Sequence, residues 1–209
     1  MTPIVHVVDD DASFRSAIGR LLGASGYQVA LYGSASELLE RLPNGEPGCI
    51  LLDVKMSGLT GPQLQDRLGQ LGNRLPIVFL TGYADVPTSV RAIKGGAEDF
   101  LTKPVPEKEL LGAIERALIH CEEIRDHDNQ IATMQSLVSS LTSREREVFA
   151  LVVRGKLNKQ IAHELGTAER TIKAHRQQVM EKCKVQSLAG LVLIAARLGM
   201  LVSSHGGGP

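Results

Sequence analysis

Short apolar segments alternate with helical segments over the first 120 residues, and this alternation restricts the possible folds more than any other feature. The predicted strands are residues 4–8, 28–32, 49–52, 77–80 and 100–101. Between them, apolar residues recur every three or four positions, which predicts helices at 14–22, 35–42, 62–69 and 86–95, with a further helix after Pro106. Strands that are apolar throughout and separated by helices are typical of a parallel sheet covered on both faces. We therefore predict an α/β fold with a doubly wound, five-stranded parallel sheet.

The remainder of the chain has a helical pattern. No Pro or Gly interrupts residues 113–140, which predicts that the helix after Pro106 continues as an acidic linker. Residues 141–199 form four helical segments, and the Gly-rich end of the chain has the composition of disorder. The predicted organisation is an α/β domain at 1–120, a helical linker at 121–140, a small all-α domain at 141–200 and a disordered tail at 201–209.

Charge is distributed unevenly along a chain whose 23 basic and 23 acidic residues give a net charge of zero. Residues 141–209 contain 11 basic and five acidic residues, so the second domain is basic and the rest is acidic. A basic domain joined to an acidic one is the charge distribution expected if only the C-terminal part meets a polyanion such as DNA, although a solvated basic face is the commoner explanation of such a charge.

Two classes of protein are disfavoured by the sequence. No apolar run approaches the ~20 residues of a membrane span, and the N-terminal segment lacks the pattern of a signal peptide, so we expect a cytoplasmic protein without a membrane partner. The three cysteines are far apart and lack metal-ligand spacing, which argues against a disulfide framework or a zinc site.

Acidic, hydroxyl and ammonium side chains follow four of the predicted strands. Asp9 and Asp10 follow the first strand, Asp53 the third, Thr81 the fourth and Lys103 the fifth. Carboxyl ends of parallel strands share one rim, so these residues should converge there. Clustered carboxylates repel one another unless a cation joins them, and an all-oxygen set suits Mg²⁺. Asp53 is the best-placed nucleophile for phosphoryl transfer, because metal and ammonium would neutralise phosphoryl oxygens.

The motifs VVDDD (7–11), LLDVKMSGLTG (51–61) and TGYADVPTSVRAIKGGAEDFLTKP (81–104) resemble the receiver domain of two-component response regulators, most closely the FixJ branch. The resemblance covers residues 3–120. It implies a phosphoacceptor (Asp53), a direct Mg²⁺ ligand (Asp10), a ligand acting through water (Asp9), a ligating backbone carbonyl (Lys55), two phosphoryl contacts (Thr81 and Lys103) and a switch aromatic (Phe100).

Two further expectations come from the same resemblance. The family's Lys-Pro peptide, here Lys103-Pro104, is often cis. The family usually has Met-Pro after the phosphoacceptor strand, whereas Ser57 occupies the position of that proline. We therefore expect the identity of the phosphoacceptor to follow the family more closely than the metal affinity or the rate of dephosphorylation does.

Asp11 lies at the start of a predicted helix. Its position there predicts a capping or helix-dipole residue.

The basic domain has the pattern of a helix-turn-helix. Thr142 and Glu145 form a capping box before the first helix, and Gly166 lies at a turn between two later helices. On a helical wheel of residues 168–183, Ile172, Val179 and Cys183 share an inward arc, which leaves a polar and basic outward face. Such a face is suited to base edges and phosphates.

Residues 141–192 resemble the LuxR/NarL-type DNA-binding domain, including the TIKAH segment. By that resemblance Lys173, Ala174 and Gln177 would approach bases. The residues expected nearer phosphates are Lys159, Thr171, His175 and Arg176. The final helix, 187–199, resembles the family's dimer-forming helix, but its apolar stripe is equally compatible with a core helix.

These patterns favour a response-regulator transcription factor. A sensor histidine kinase would phosphorylate Asp53, and the chain would then form a homodimer on promoter DNA and act on RNA polymerase. Any enzymatic activity would be limited to slow autodephosphorylation. The alternatives are a phosphohydrolase, which would need an acid at the position of Lys55, and a protein-interaction adaptor that binds no DNA.

Overall fold

The computed structural model describes residues 2–41, 45–82 and 86–201, with no description of the side chains of residues 86–89. It divides into two units between Arg125 and Asp126, a point that lies within the linker predicted at 121–140. The predicted disordered tail lies outside the described residues except for Leu201.

The first unit is the predicted five-stranded α/β sheet. Its strands are β1 (Ile4–Val8), β2 (Gln28–Tyr32), β3 (Gly48–Asp53), β4 (Ile77–Thr81) and β5 (Asp99–Thr102). Its helices are α1 (Ala12–Ala24), α2 (Ala35–Glu40), α3 (Gly61–Gln70), α4 (Val86–Lys94) and the start of α5 (Glu107–Ser139). All strands pair in parallel in the order β2-β1-β3-β4-β5. The predicted fold class is therefore confirmed.

Alternate residues of each strand face opposite sides of the sheet, and both sides are buried. On one side, Val7 and Leu51 pack with α1 and with Leu110 and Ile114 of α5. The other side packs against α2, α3 and α4, and includes Phe79. Because a fully buried aliphatic or aromatic side chain contributes about 1.5–3 kcal/mol, two such layers give this small unit a sufficient core.

The long helix α5 continues beyond the first unit. It runs without interruption to Ser139 and therefore includes nearly all of the predicted linker. None of the helices in the described part of the chain is both long enough and apolar enough to cross a membrane.

The second unit is helical, with α6 (Ser143–Val153), α7 (Asn158–Glu164), α8 (Glu169–Lys182) and α9 (Leu188–Arg197). Thr142 Oγ1 accepts the backbone N–H of Glu145, whose carboxylate accepts the Thr142 N–H at 2.8 Å and the Lys182 ammonium at 2.6 Å. Gly166 has φ 62°, a left-handed conformation that favours glycine, and it turns the chain between α7 and α8. The result is a helix-turn-helix.

Helix α9 presents apolar residues on two faces. Leu191, Ile194 and Ala195 are buried in the core of the second unit. Leu188 and Leu193 are exposed by 41% and 51%. The helix therefore serves as a core element and also carries exposed apolar side chains, so both interpretations of its stripe remain compatible with the structure.

A buried histidine lies on the α2 side of the sheet. His6 is 2% exposed, and its Nδ1 lies 3.1 Å from the Tyr32 hydroxyl. Its Nε2 has no hydrogen-bond partner among the described residues. Burial lowers the pKa of His6, and the opposing effect of Glu46 is smaller. The folded first unit therefore favours neutral His6.

The free energy of unfolding should consequently fall in mild acid. The pKa of His6 is lower in the folded state than the value of about 6.5 expected in the unfolded chain. Above that pH His6 is neutral in both states and the free energy of unfolding is at its full value. Below it, the unfolded chain binds the proton more readily, so protonation favours unfolding. In urea titrations from pH 7.5 to pH 5.5, the stability loss should be smaller in His6→Phe than in the wild type. An exposed-site control, His163→Gln, should retain the wild-type pH dependence, and an unchanged profile in His6→Phe would contradict the assignment.

Candidate functional site

The predicted functional residues of the first unit lie at one rim of its sheet. Asp9 directly follows β1, Asp53 is the last residue of β3, Thr81 is the last residue of β4, and Lys103 directly follows β5. Parallel strands place these carboxyl ends together although the residues are far apart in sequence.

Lys103 lies between two buried carboxylates. Its Nζ is 2.6 Å from Asp9 Oδ2 and 2.7 Å from Asp53 Oδ1. The side chains of Asp9 and Asp53 are only 2% and 8% exposed. The Phe14 ring lies on the ammonium, with 4.0 Å from Nζ to the ring centroid. One cation therefore offsets the repulsion between two carboxylates and is itself held against an aromatic face.

The site perturbs the protonation equilibria of both partners. Burial acts to lower the pKa of Lys103, but its hydrogen bonds with Asp53 and Asp9 outweigh burial and raise that pKa above its ordinary value. Burial raises the pKa of the Asp53 carboxyl, and the Lys103 hydrogen bond opposes this rise. Lys103 therefore stays charged at neutral pH.

The other carboxylate oxygens are bonded by loop donors. Asp53 Oδ2 accepts the Lys55 N–H at 2.8 Å, and Asp9 Oδ1 accepts the Asp11 N–H at 2.9 Å. Asp10 Oδ2 accepts two bonds from Ser57, from the backbone N–H at 2.9 Å and from Oγ at 3.2 Å. Each acidic residue thus has a fixed orientation at the rim.

Asp11 plays a different part from its two acidic neighbours. Its carboxylate accepts the N–H groups of Ser13 at 2.8 Å and Phe14 at 3.1 Å, which caps the N-terminus of α1. This is the capping role expected from the sequence.

The oxygen atoms of Asp10, Asp53 and the Lys55 carbonyl could form part of the coordination shell of a Mg²⁺ ion. No three His, Cys, Asp or Glu side chains in the described ranges converge closely enough to enclose an ion by themselves. Mg²⁺, however, commonly takes one or two carboxylates and completes its shell with water and phosphate oxygens. The Asp53 carboxylate accepts a hydrogen bond from the Lys55 N–H, and the Asp10 carboxylate accepts one from the Ser57 N–H. Lys55 and Ser57 lie two residues apart in one loop. Both carboxylates therefore lie beside the loop that contains the Lys55 carbonyl.

A glycine sets the path of the loop after Asp53. The Gly61 N–H donates to the Val54 carbonyl at 3.0 Å. A Cβ at Gly61 would lie 2.5 Å from the Asp53 carbonyl oxygen and 2.8 Å from Phe79 Cε1. Any larger residue would therefore push α3 away from the end of β3.

Thr81 and Phe100 lie on neighbouring strands. Thr81 is 1% exposed and shares a sheet face with Phe79, two residues earlier on β4. Phe79 pairs with Phe100 on β5, and their ring centroids are 6.1 Å apart. Phe100 is half-buried, so this aromatic pair connects the rim with the surface of β5. The Lys103-Pro104 peptide is cis, as the resemblance implied.

The second unit presents its predicted DNA-binding residues on α7 and α8. Lys159, Thr171, Lys173, Ala174 and Gln177 are exposed, and His175 and Arg176 are half-buried. Ile172, Val179 and Cys183 are buried, as the helical wheel predicted. Arg176 donates to Asn158 Oδ1 at 2.7 Å, which holds α8 to the start of α7.

Three contacts at the rim were not predicted from the sequence. These are the Phe14 ring against Lys103, the hydrogen bond from the Arg15 guanidinium to the Asp9 carbonyl, and the pair of bonds from Ser57 to Asp10. Only Ser57 had a signal in the sequence, because it occupies the position of the family's proline.

Comparison with known families covers both units. Residues 5–115 match the response regulator receiver domain, and residues 139–195 match the bacterial regulatory proteins of the luxR family. The chain is 42% identical over 197 residues to Nodulation protein W of Bradyrhizobium diazoefficiens, covering 94% of this chain and 87% of that protein.

Solved structures show the same relationship. The response regulator StyR matches with a TM-score of 0.82 and 44% identity, covering 94% of this chain and all of that one. Full-length FixJ from B. japonicum matches with a TM-score of 0.59 and 38% identity, covering 97% of this chain and all of that one. These matches favour the response-regulator hypothesis over the phosphohydrolase and adaptor alternatives.

The Lys103 ion pairs can be tested by removing the cation. Lys103→Met should lower the free energy of unfolding by about 3 kcal/mol or more, because two buried carboxylates then lose their common partner. Urea denaturation without divalent metal measures this effect. Lys108→Met removes an exposed lysine from α5 and should stay within about 0.5 kcal/mol of the wild type. Equal midpoints for both variants would contradict the structural role of Lys103.

Proposed function

This chain belongs to the two-component response regulators that control transcription through a LuxR-type DNA-binding domain, and we propose that its control step is phosphoryl transfer to Asp53. The observation that carries this proposal is the convergence of Asp53, Asp9 and Lys103 at the carboxyl-terminal rim of the sheet. A nucleophilic carboxylate, acidic metal ligands and an ammonium group are the components that such a transfer requires.

In the proposed reaction, an Asp53 carboxylate oxygen attacks the phosphorus of a phosphohistidine on a sensor kinase. The new O–P bond forms as the P–N bond breaks, and the electron pair returns to the imidazole nitrogen. Lys103, 2.7 Å from Asp53 Oδ1, is within reach of phosphoryl oxygens on that residue. The Thr81 hydroxyl, at the end of the neighbouring strand, would donate to another phosphoryl oxygen.

The same rim would hold Mg²⁺ through Asp10, Asp53 and the Lys55 carbonyl, with Asp9 acting through water. When bound, the ion supplies positive charge that offsets the phosphoryl oxygens. The protein residues fix the position of this charge, because Asp53 and Asp10 are each oriented by loop amides.

A signal to the rest of the chain would begin at Thr81. Movement of its side chain toward the phosphoryl group would free space on the sheet face that it shares with Phe79 and Phe100. The half-buried Phe100 ring would then turn inward and change the surface of β5 and α4. Such a local charge change coupled to a two-state element is a general means of switching.

The proposed output is a homodimer on promoter DNA that acts on RNA polymerase. In α8, Lys173, Ala174 and Gln177 form the exposed face that would approach bases. Lys159, Thr171, His175 and Arg176 would lie nearer phosphates. The exposed Leu188 and Leu193 of α9 offer apolar area for the dimer contact.

Phosphorylation of Asp53 can be tested with a small phosphodonor. With acetyl phosphate and Mg²⁺, the full-length wild type should gain DNA affinity by at least about fivefold, the lower range of allosteric coupling. Asp53→Asn should show neither the gain in footprinting nor the added phosphoryl mass in intact-protein mass spectrometry. Glu40→Gln alters an exposed acid at the end of α2 and should respond as the wild type does. A wild-type gain in Asp53→Asn would exclude the mechanism.

Base recognition by α8 can be tested separately. In the full-length phosphorylated protein, Lys173→Ala should weaken binding to the footprinted site by about 1–3 kcal/mol and reduce discrimination against unrelated DNA. Fluorescence anisotropy at several salt concentrations separates this loss from a phosphate contact, which would weaken both DNAs equally. Lys184→Ala, an exposed lysine beyond the end of α8, is the matched control and should bind as the wild type does.

A further inference from the structure

Asp10 is held differently from the other two acidic residues at the rim. Asp9 and Asp53 share the Lys103 ammonium, whereas no Lys or Arg within residues 2–41, 45–82 and 86–201 forms an ion pair with Asp10. Both side-chain hydrogen bonds that Asp10 accepts there come from Ser57, and both end on Oδ2. Ser57 is therefore the group that orients this carboxylate.

We propose that Ser57 is a positioning residue for the metal site, which holds the Asp10 carboxylate in the orientation that binds Mg²⁺. The inference rests on the proposed function, because it assigns Asp10 as a direct ligand. It adds a residue that contacts no metal itself and acts only through Asp10.

The geometry supports a favourable effect on metal binding. Asp10 and Ser57 are both exposed, so without a donor the carboxylate would rotate freely in water. Two donors on Oδ2 fix that rotation, and no hydrogen bond from the described part of the chain ends on Oδ1, which would be the metal-binding oxygen. Hydrogen bonds to ligating carboxylates act in this way generally, and removing them typically weakens metal binding by about 10- to 100-fold.

The two bonds also connect the two loops that supply the ligands. Asp10 lies in the loop between β1 and α1, and Ser57 lies 47 residues later in the loop between β3 and α3. The second loop also contains the Lys55 carbonyl, another proposed ligand. Ser57 therefore joins ligands from two loops before the ion binds, so less ordering remains to be done on binding.

Three substitutions separate the two donors. Ser57→Thr keeps the hydroxyl and the N–H, Ser57→Ala keeps only the N–H, and Ser57→Pro keeps neither, because proline has no backbone N–H. The residue type at this position thus controls how many bonds reach Asp10.

The test is calorimetric titration of the full-length protein with MgCl₂ alone, without phosphodonor. Ser57→Pro should raise the Kd for Mg²⁺ about tenfold or more. Ser57→Ala should give a smaller increase, and Ser57→Thr should bind nearly as tightly as the wild type. The control is Ser13→Ala, since Ser13 lies in the first turn of α1 close to Asp10 in sequence, and its contact with Asp11 comes from its backbone N–H, which alanine keeps. Urea midpoints measured in parallel report whether each variant is folded.

The outcomes distinguish this inference from the proposed function. Equal Kd values for the wild type, Ser57→Ala and Ser57→Pro would overturn the role of Ser57, provided that Asp10→Asn weakens binding, and would leave the metal site in place. Tighter binding in Ser57→Pro would also overturn it, because Ser57 would then compete with the ion. If Asp10→Asn binds Mg²⁺ as the wild type does, both the inference and the proposed metal site fail.

Discussion

The Lys103 ammonium between Asp9 and Asp53 is the interaction on which the candidate site depends. A parallel sheet brings its strand ends together, and here the ends of β1 and β3 both carry nearly buried carboxylates. Two negative charges that are nearly excluded from water repel each other strongly, and a cation shared between them offsets this repulsion. Lys103 follows β5, which neighbours neither β1 nor β3, so its ion pairs join strand ends that no backbone ladder connects.

The surrounding loops are organised around these ion pairs. Gly61 allows α3 to approach the Asp53 carbonyl, and the Lys55 N–H binds the Asp53 carboxylate. Further along the same loop, Ser57 binds Asp10. The loop after β3 thus contacts both the proposed phosphoacceptor and a proposed metal ligand. A change of charge at Asp53 would therefore alter its hydrogen bond with Lys55 in this loop as well as its ion pair with Lys103.

The extent to which sequence predicts structure differs between elements and side-chain contacts. Apolar strands and helical periodicity predicted the five-stranded sheet, and the wheel of α8 correctly placed Ile172 and Val179 in the core. Because the carboxyl ends of parallel strands meet at one rim, the sequence also correctly predicted that Asp53 and Lys103 lie close together. The Ser57 and Phe14 contacts escaped prediction because they depend on loop paths and side-chain rotamers, which have no periodic signal. The continuation of α5 to Ser139 did have a sequence signal, because no Pro or Gly interrupts residues 113–140.

Phosphorylation would alter the balance of charge between Lys103 and the two carboxylates that it contacts. One ammonium offsets two carboxylates, and a phosphoryl group on Asp53 adds negative charge that Lys103 alone cannot offset. In the proposed function, a divalent cation held by Asp10 would supply the remainder, and metal binding would thereby be coupled to phosphorylation. Thr81 shares a sheet face with Phe79, and the Phe79 ring lies next to the Phe100 ring. A movement of Thr81 at the rim could therefore be transmitted through these side chains to the surface of β5. On this view, Ser57 sets how readily the switch acquires the cation that it needs.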